Sequence, residues 1–123
     1  MRNDKIHSFT DLVAWQEAHK LALAIYDITK SFPQEEKYSL IDQMRRSALS
    51  ISSNIAEGFS RQGQKEKTQF YFTAKGSTTE LQNQLLLAKG VQYMPAGDFN
   101  KIADQTIYVH KLINGLIRTS TKY

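Results

Sequence analysis

The chain has 123 residues, with 16 Lys and Arg against 12 Asp and Glu, a formal charge of +4, and no cysteine. This length supports one domain, residues 1–123, whose core needs no covalent staple. The missing thiol excludes a disulfide scaffold, a cysteine nucleophile, iron–sulfur chemistry and a cysteine-ligated zinc.

Residues 1–7 contain no apolar run that could form a signal-peptide core. No window approaches the roughly 18 apolar residues of a membrane span, so the expected setting is cytoplasmic, without a membrane partner. The first helix is predicted over 10–31, because Trp15, Ala18, Ala22, Ile25, Thr29 and Phe32 recur at helical spacing. Ser8 or Thr10 can cap it, with Asp11 near its positive end. Pro33 ends that helix and, with Glu35 and Glu36, opens a second over 36–60, carrying Ile41, Met44, Ala48, Ile51 and Ile55. Gly58 to Gly63 forms a break. The third helix, 64–90, follows with Tyr71, Ala74, Thr78, Leu81, Leu85 and Ala88. Gly90 and Pro95 to Gly97 make the last turn, and Asp98 helps to cap a fourth helix over 97–120 with Phe99, Ile102, Thr106, Val109, Ile113 and Leu116. No strand-like alternation competes. Short connections force successive helices to run antiparallel, giving an all-α, up-down-up-down four-helix bundle.

The second helix carries another periodic set: Gln43, Ser47, Ser50, Asn54, Glu57 and Arg61. This polar stripe lies roughly 110° around the helix from the apolar seam. The third helix repeats the arrangement with Thr73, Ser77, Glu80 and Gln84. A solvated outer face is one explanation. Exposed faces, however, usually carry Lys and Glu pairs rather than Ser and Asn. The other explanation is that the stripes meet, inside the bundle or between subunits, as a satisfied polar network. Glu57 then needs a partner, either Arg46 or Arg61, and its replacement by Gln or Ala is expected to lower stability or change oligomer size. Leu21, Leu23, Ile28, Tyr108, Leu112 and Ile117 lie outside the apolar seams. They either widen the core or leave faces on the first and fourth helices suited to self-association.

Catalytic patterns are missing from the sequence. There is no Glu-x-x-His pair of the ferritin-like kind, and His7, His19 and His110 are mutually isolated. The run from Gly58 to Gly63 continues into Gln64 and Lys65, which misplaces the lysine and hydroxyl of a phosphate-binding loop. No catalytic residue, metal or cofactor is therefore expected. Charge is uneven: residues 1–36 net −2, residues 37–94 net +4 and residues 95–123 net +2. Arg61, Lys65, Lys67 and Lys75 cluster around the turn into the third helix, and Arg45 and Arg46 add to that half. Such a rim can contact phosphates with little sequence specificity, and repetition in an oligomer would multiply it. The rivals are a protein–protein scaffold with incidental charge and an enzyme assembled between subunits around Glu57.

Three blocks carry a resemblance: Phe9 to Ala18 with Phe32-Pro33 and Glu36, Gln43 to Gly58 with its Asn-Ile-Ala-Glu-Gly core, and Ala74 to Ser77 with Glu80-Leu81. Together they resemble the four-helix-bundle proteins encoded in intervening sequences of bacterial 23S rRNA genes. That family is similar in turn to accessory variability proteins of diversity-generating retroelements. The resemblance implies a homopentameric ring without established catalytic activity. For the retroelement relatives it implies a basic surface contacting RNA or DNA and a reverse transcriptase. Motif positions carried over are Gln43, Arg46, Ser50, Asn54, Glu57, Gly58, Arg61, Gly76, Ser77 and Glu80, and seven of these ten lie on the polar stripes. Ser47 stands where alanine is expected and Ser39 where glycine is common.

Overall fold

The structure, a computed structural model, describes residues 6–121; residues 1–5, read above for a signal core, lie outside it. The described chain forms four long helices: α1 (Val13–Thr29), α2 (Leu40–Ser60), α3 (Gln64–Gly90) and α4 (Ala96–Thr121). No strand occurs among the described residues. The fold is all-α.

Helix boundaries depart from expectation where local hydrogen bonds outcompete the helix. Ser8 does not cap α1. It caps a 3-10 turn over Phe9–Asp11, accepting the Thr10 N–H at 3.2 Å, while Asp11 accepts the N–H groups of Ser8 and His7 at 3.2 and 3.0 Å. Leu12 is then extended and the chain re-enters helix at Val13. Trp15 packs edge-on to Phe9 (5.2 Å between centroids) and stacks on His19 (4.8 Å), so it is half-buried beneath this turn. Likewise Pro33 leads a 3-10 turn, Gln34–Glu36, and α2 waits until Leu40. The Ser39 hydroxyl donates to the Glu36 carboxylate at 2.6 Å across that delay.

The third helix ends differently from its glycine signal. Gly90 is helical, and Gln92 takes the left-handed conformation with φ 66°. The Tyr93 N–H then bonds the Ala88 carbonyl at 2.9 Å and the Gln92 N–H bonds that of Lys89 at 3.0 Å. This closes the terminus with two paired carbonyls.

Helix α1 packs on α2 and α4, and α3 packs on α2 and α4, which closes the bundle around one core. Ser50 opposite Ser77 and Ser47 opposite Glu80 set α2 and α3 antiparallel. Thr68 opposite Ser120 and Gln82 opposite Thr106 do the same for α3 and α4. The core holds Leu21, Ile25, Met44, Ile51, Ile55, Leu81, Leu85, Val109 and Ile113 at full or nearly full burial. Thr29, Thr78 and Thr106 occupy core positions because each hydroxyl donates back to its own helix, to the carbonyls of Ile25, Ala74 and Ala103 at 2.7, 2.9 and 2.7 Å. No buried donor is left open there. Leu21 is core, and Ile28, Leu112 and Ile117 pack against it, so most of the extra apolar residues widen the core; Leu23 and Tyr108 stay exposed.

One end of the bundle is pinned by a polar bond. The Tyr93 hydroxyl donates to Glu36 at 2.7 Å while its ring lies 5.4 Å from that of Phe32. Hydrogen bonds from Ser39 and then Tyr93 hold the Glu36 carboxyl below its ordinary value of 4.5. A depressed carboxyl pKa contributes stability that is present above the unfolded value and lost as pH falls through the folded one. Wild-type protein is therefore expected to lose more of its melting temperature between about pH 6 and about pH 3 than Glu36→Gln does. Parallel melting curves check this; equal losses would show that the pin carries no pH dependence.

Candidate nucleic-acid interface and its polar seam

The two polar stripes face each other across α2 and α3 within one chain. Ser50 and Ser77 share a hydroxyl bond at 2.8 Å, and the Asn54 amide donates to the Ser50 hydroxyl at 3.1 Å and to its carbonyl at 2.8 Å. Ser47, the residue found in place of alanine, donates to Glu80 at a longer 3.4 Å. Small side chains keep the helix backbones close here, and the bonds fix their register. The stripes are not used throughout: Gln43 and Thr73 are exposed, and the Thr73 hydroxyl turns back to the Gln69 carbonyl at 3.1 Å. Gln84 has its Oε1 buried without a partner among the described residues.

Gly58 continues the seam to the bundle corner. A Cβ there would lie 2.7 Å from Tyr71 Cε1 and 3.0 Å from Phe70 Cβ, so only glycine fits against the start of α3. Gly76 differs: it is exposed in mid-helix, and a Cβ would meet nothing within 4 Å. Glu57 pairs with Arg61 at 2.9 Å, whereas Arg46 pairs with Asp42 at 3.0 Å. The Glu57 side chain is 50% exposed, and surface pairs of this spacing contribute only about 0.3–0.5 kcal/mol. Of its two candidate partners Glu57 takes Arg61, and the pair adds little to the stability of the single chain.

The basic residues divide into two groups. Arg45 is half-buried; its Nε donates to the Thr29 hydroxyl at 2.9 Å, its terminal nitrogen donates to the Tyr26 carbonyl at 3.2 Å, and its guanidinium lies 4.7 Å from the Tyr26 ring centre. It ties α1 to α2. Lys67 donates to the carbonyls of Phe59 at 2.6 Å and Gly58 at 3.4 Å, capping the negative end of α2. Burial in that position lowers its pKa from the ordinary lysine value. Both cations are committed to packing. Arg61 lies over Phe70 at 4.8 Å and Lys75 over Phe72 at 5.9 Å, while Lys65 is exposed. With Arg46, these residues lie on the outer side of the bundle, Arg46 and Arg61 each beside its paired carboxylate. Charge counting alone did not distinguish the groups. Aromatic neighbours do not distinguish them either, since Phe59 lies beside Lys67 and Tyr26 beside Arg45 as Phe70 and Phe72 lie beside Arg61 and Lys75.

Among the described residues no group of three or more His, Asp or Glu side chains could hold a metal, and no helix is long and apolar enough to cross a membrane. The geometry defines an all-α, four-helix protein with a hydroxyl-lined helix seam ending in a basic, aromatic corner. The family model described as 23S rRNA-intervening sequence protein matches residues 10–115, and the chain belongs to that family. Among solved structures, the chain is similar to a protein with unknown function from the S23 ribosomal protein family of Bacteroides thetaiotaomicron. The identity is 22%, the TM-score 0.80, and the match covers 86% of this chain and 96% of that one. That likeness establishes the shared fold. No curated protein matches the chain.

The two glycines should respond oppositely to alanine. Gly58→Ala is expected to cost about 1–3 kcal/mol by overpacking. Gly76→Ala is expected to stabilise the chain by about 0.5–1 kcal/mol through helix propensity. Chemical denaturation of both variants checks the pair; a Gly58→Ala variant as stable as wild type would remove the close-approach account.

Proposed function

We propose that this protein is a non-enzymatic, self-assembling helical module that binds nucleic acid, or a nucleoprotein, with little sequence specificity. The observation that carries this reading is the corner between α2 and α3. There Lys65 is exposed, Lys75 stands over Phe72, and Arg61 stands over Phe70 while pairing with Glu57 at 2.9 Å; none of the three caps a helix end. Such groups neutralise phosphates without reading base edges. The family is described by an intervening sequence of 23S rRNA, which agrees with a nucleic-acid setting. Ser47, Ser50, Ser77 and Glu80 of the seam are occupied in holding α2 to α3, which favours a structural role for them over catalysis. Self-assembly rests on the family resemblance and on the exposed Leu23 and Tyr108 side chains. Five copies of a +4 chain would carry +20, so the modest charge of one copy is no argument against binding. A reverse transcriptase is a partner implied only through the retroelement relatives.

Anisotropy titrations of RNA and DNA at several salt concentrations test the reading. Affinity is expected to fall steeply with salt, and replacing Arg61, Lys65 and Lys75 together by alanine should flatten the slope of log K against log salt by about 2–3. No binding at low salt would leave a protein–protein scaffold as the function. Light scattering tests assembly: a pentamer of 14.1 kDa chains has a mass of about 70 kDa, and a 14.1 kDa species would contradict it.

A further inference from the structure

Beside the basic corner, where the start of α3 meets the end of α4, lies a cleft of about 440 Å³ lined by Gln64, Lys65, Thr68, Gln69, Phe72 and Ser120, among others. Phe72 is 52% exposed, although a phenyl ring on a free surface gains nothing from water. The hydroxyls of Thr68 and Ser120 lie 2.8 Å apart, with the Gln64 and Ile117 carbonyls as their other acceptors, so both O–H donors are used internally. What remains for a ligand is an aromatic surface, two exposed glutamine side chains and the ammonium of Lys65, with the ammonium of Lys75 5.9 Å from the Phe72 ring centre.

We infer that this cleft receives an unpaired nucleobase stacked on Phe72, so that the protein prefers single-stranded over duplex nucleic acid. The inference rests on the nucleic-acid reading above and specifies the form of the partner. A purely apolar ligand would leave Lys65 and the glutamines facing an apolar surface. An isolated phosphate would leave the phenyl ring unused. A nucleotide uses both, because its base has an apolar face and its phosphate an anionic one. Glutamine amides both donate and accept, so they can pair with the edge of any base, and little base preference is expected. A base within a duplex is stacked on its neighbours and cannot lie on the ring.

The test uses the full chain with a labelled RNA strand of about 12 nucleotides, the matching DNA strand and the RNA duplex of the same sequence, at low salt. At least one single strand is expected to bind more tightly than the duplex, and the stronger of the RNA and DNA arms identifies the natural ligand. Phe72→Leu should weaken single-strand binding at least about fivefold more than it weakens duplex binding, whereas Phe72→Tyr should keep both. If Phe72→Leu binds every probe as wild type does, the stacking site is overturned while salt-dependent duplex binding still supports the broader reading. Absence of binding to all probes overturns both. A change of mass on Phe72→Leu, seen by light scattering, would show that a second copy covers the ring and would also overturn the inference.

Discussion

The contact on which most of this structure depends is the approach of α2 to α3 at Gly58. The missing side chain admits the Tyr71 ring where a methyl group would lie 2.7 Å from it. Farther along the pair, serines at 47, 50 and 77 line the space between the helices. Serine is small enough for close packing and also supplies a bond where alanine would supply none. The same approach lets the Lys67 ammonium reach the last carbonyls of α2. The corner is thereby closed by one helix donating charge to the end of another, a favourable placement for a cation.

This closure separates cations that hold the fold from cations that face outward. Lys67 and Arg45 each satisfy carbonyls of a neighbouring helix or turn, and their loss would be felt first as lost stability. Arg61, Lys65 and Lys75 sit on the outer side of the same corner, beside Phe70 and Phe72. Membership of the family described by 23S rRNA-intervening sequences fixes the fold and leaves the partner to be argued from this surface.

Much of the architecture was legible because its signals are repetitive. The apolar spacing of α2 and α3 located every buried apolar side chain of those helices, and α3 spans the expected 64–90, although Gln92 and not Gly90 makes its left-handed stop. The offset of Ser50 and Ser77 from those seams pointed to a second contact, which the hydroxyl bond supplies. Less legible were features decided by a few local bonds. Ser8 and Asp11 form a turn of their own ahead of α1, and Ser39 with Glu36 delays α2, because short side chains bond nearby backbone as readily as they cap a helix. Gln92 adopts a conformation that glycine usually supplies, which composition could not reveal. The candidate site was half legible. Charge clustering pointed to the corner between α2 and α3, but the commitment of Lys67 to carbonyls eight and nine positions earlier is a tertiary fact of the closed turn.

The central claim is that α2 and α3 are held in register by a polar contact between small residues, and a double-mutant cycle on Ser50→Ala and Ser77→Ala tests it most directly. Denaturation of the two single variants and the double variant should give a coupling of about 0.5–1.5 kcal/mol, with the double variant less destabilised than the sum of the singles. Strictly additive effects would contradict the account, because the two hydroxyls would then contribute independently and the seam would be apolar packing alone.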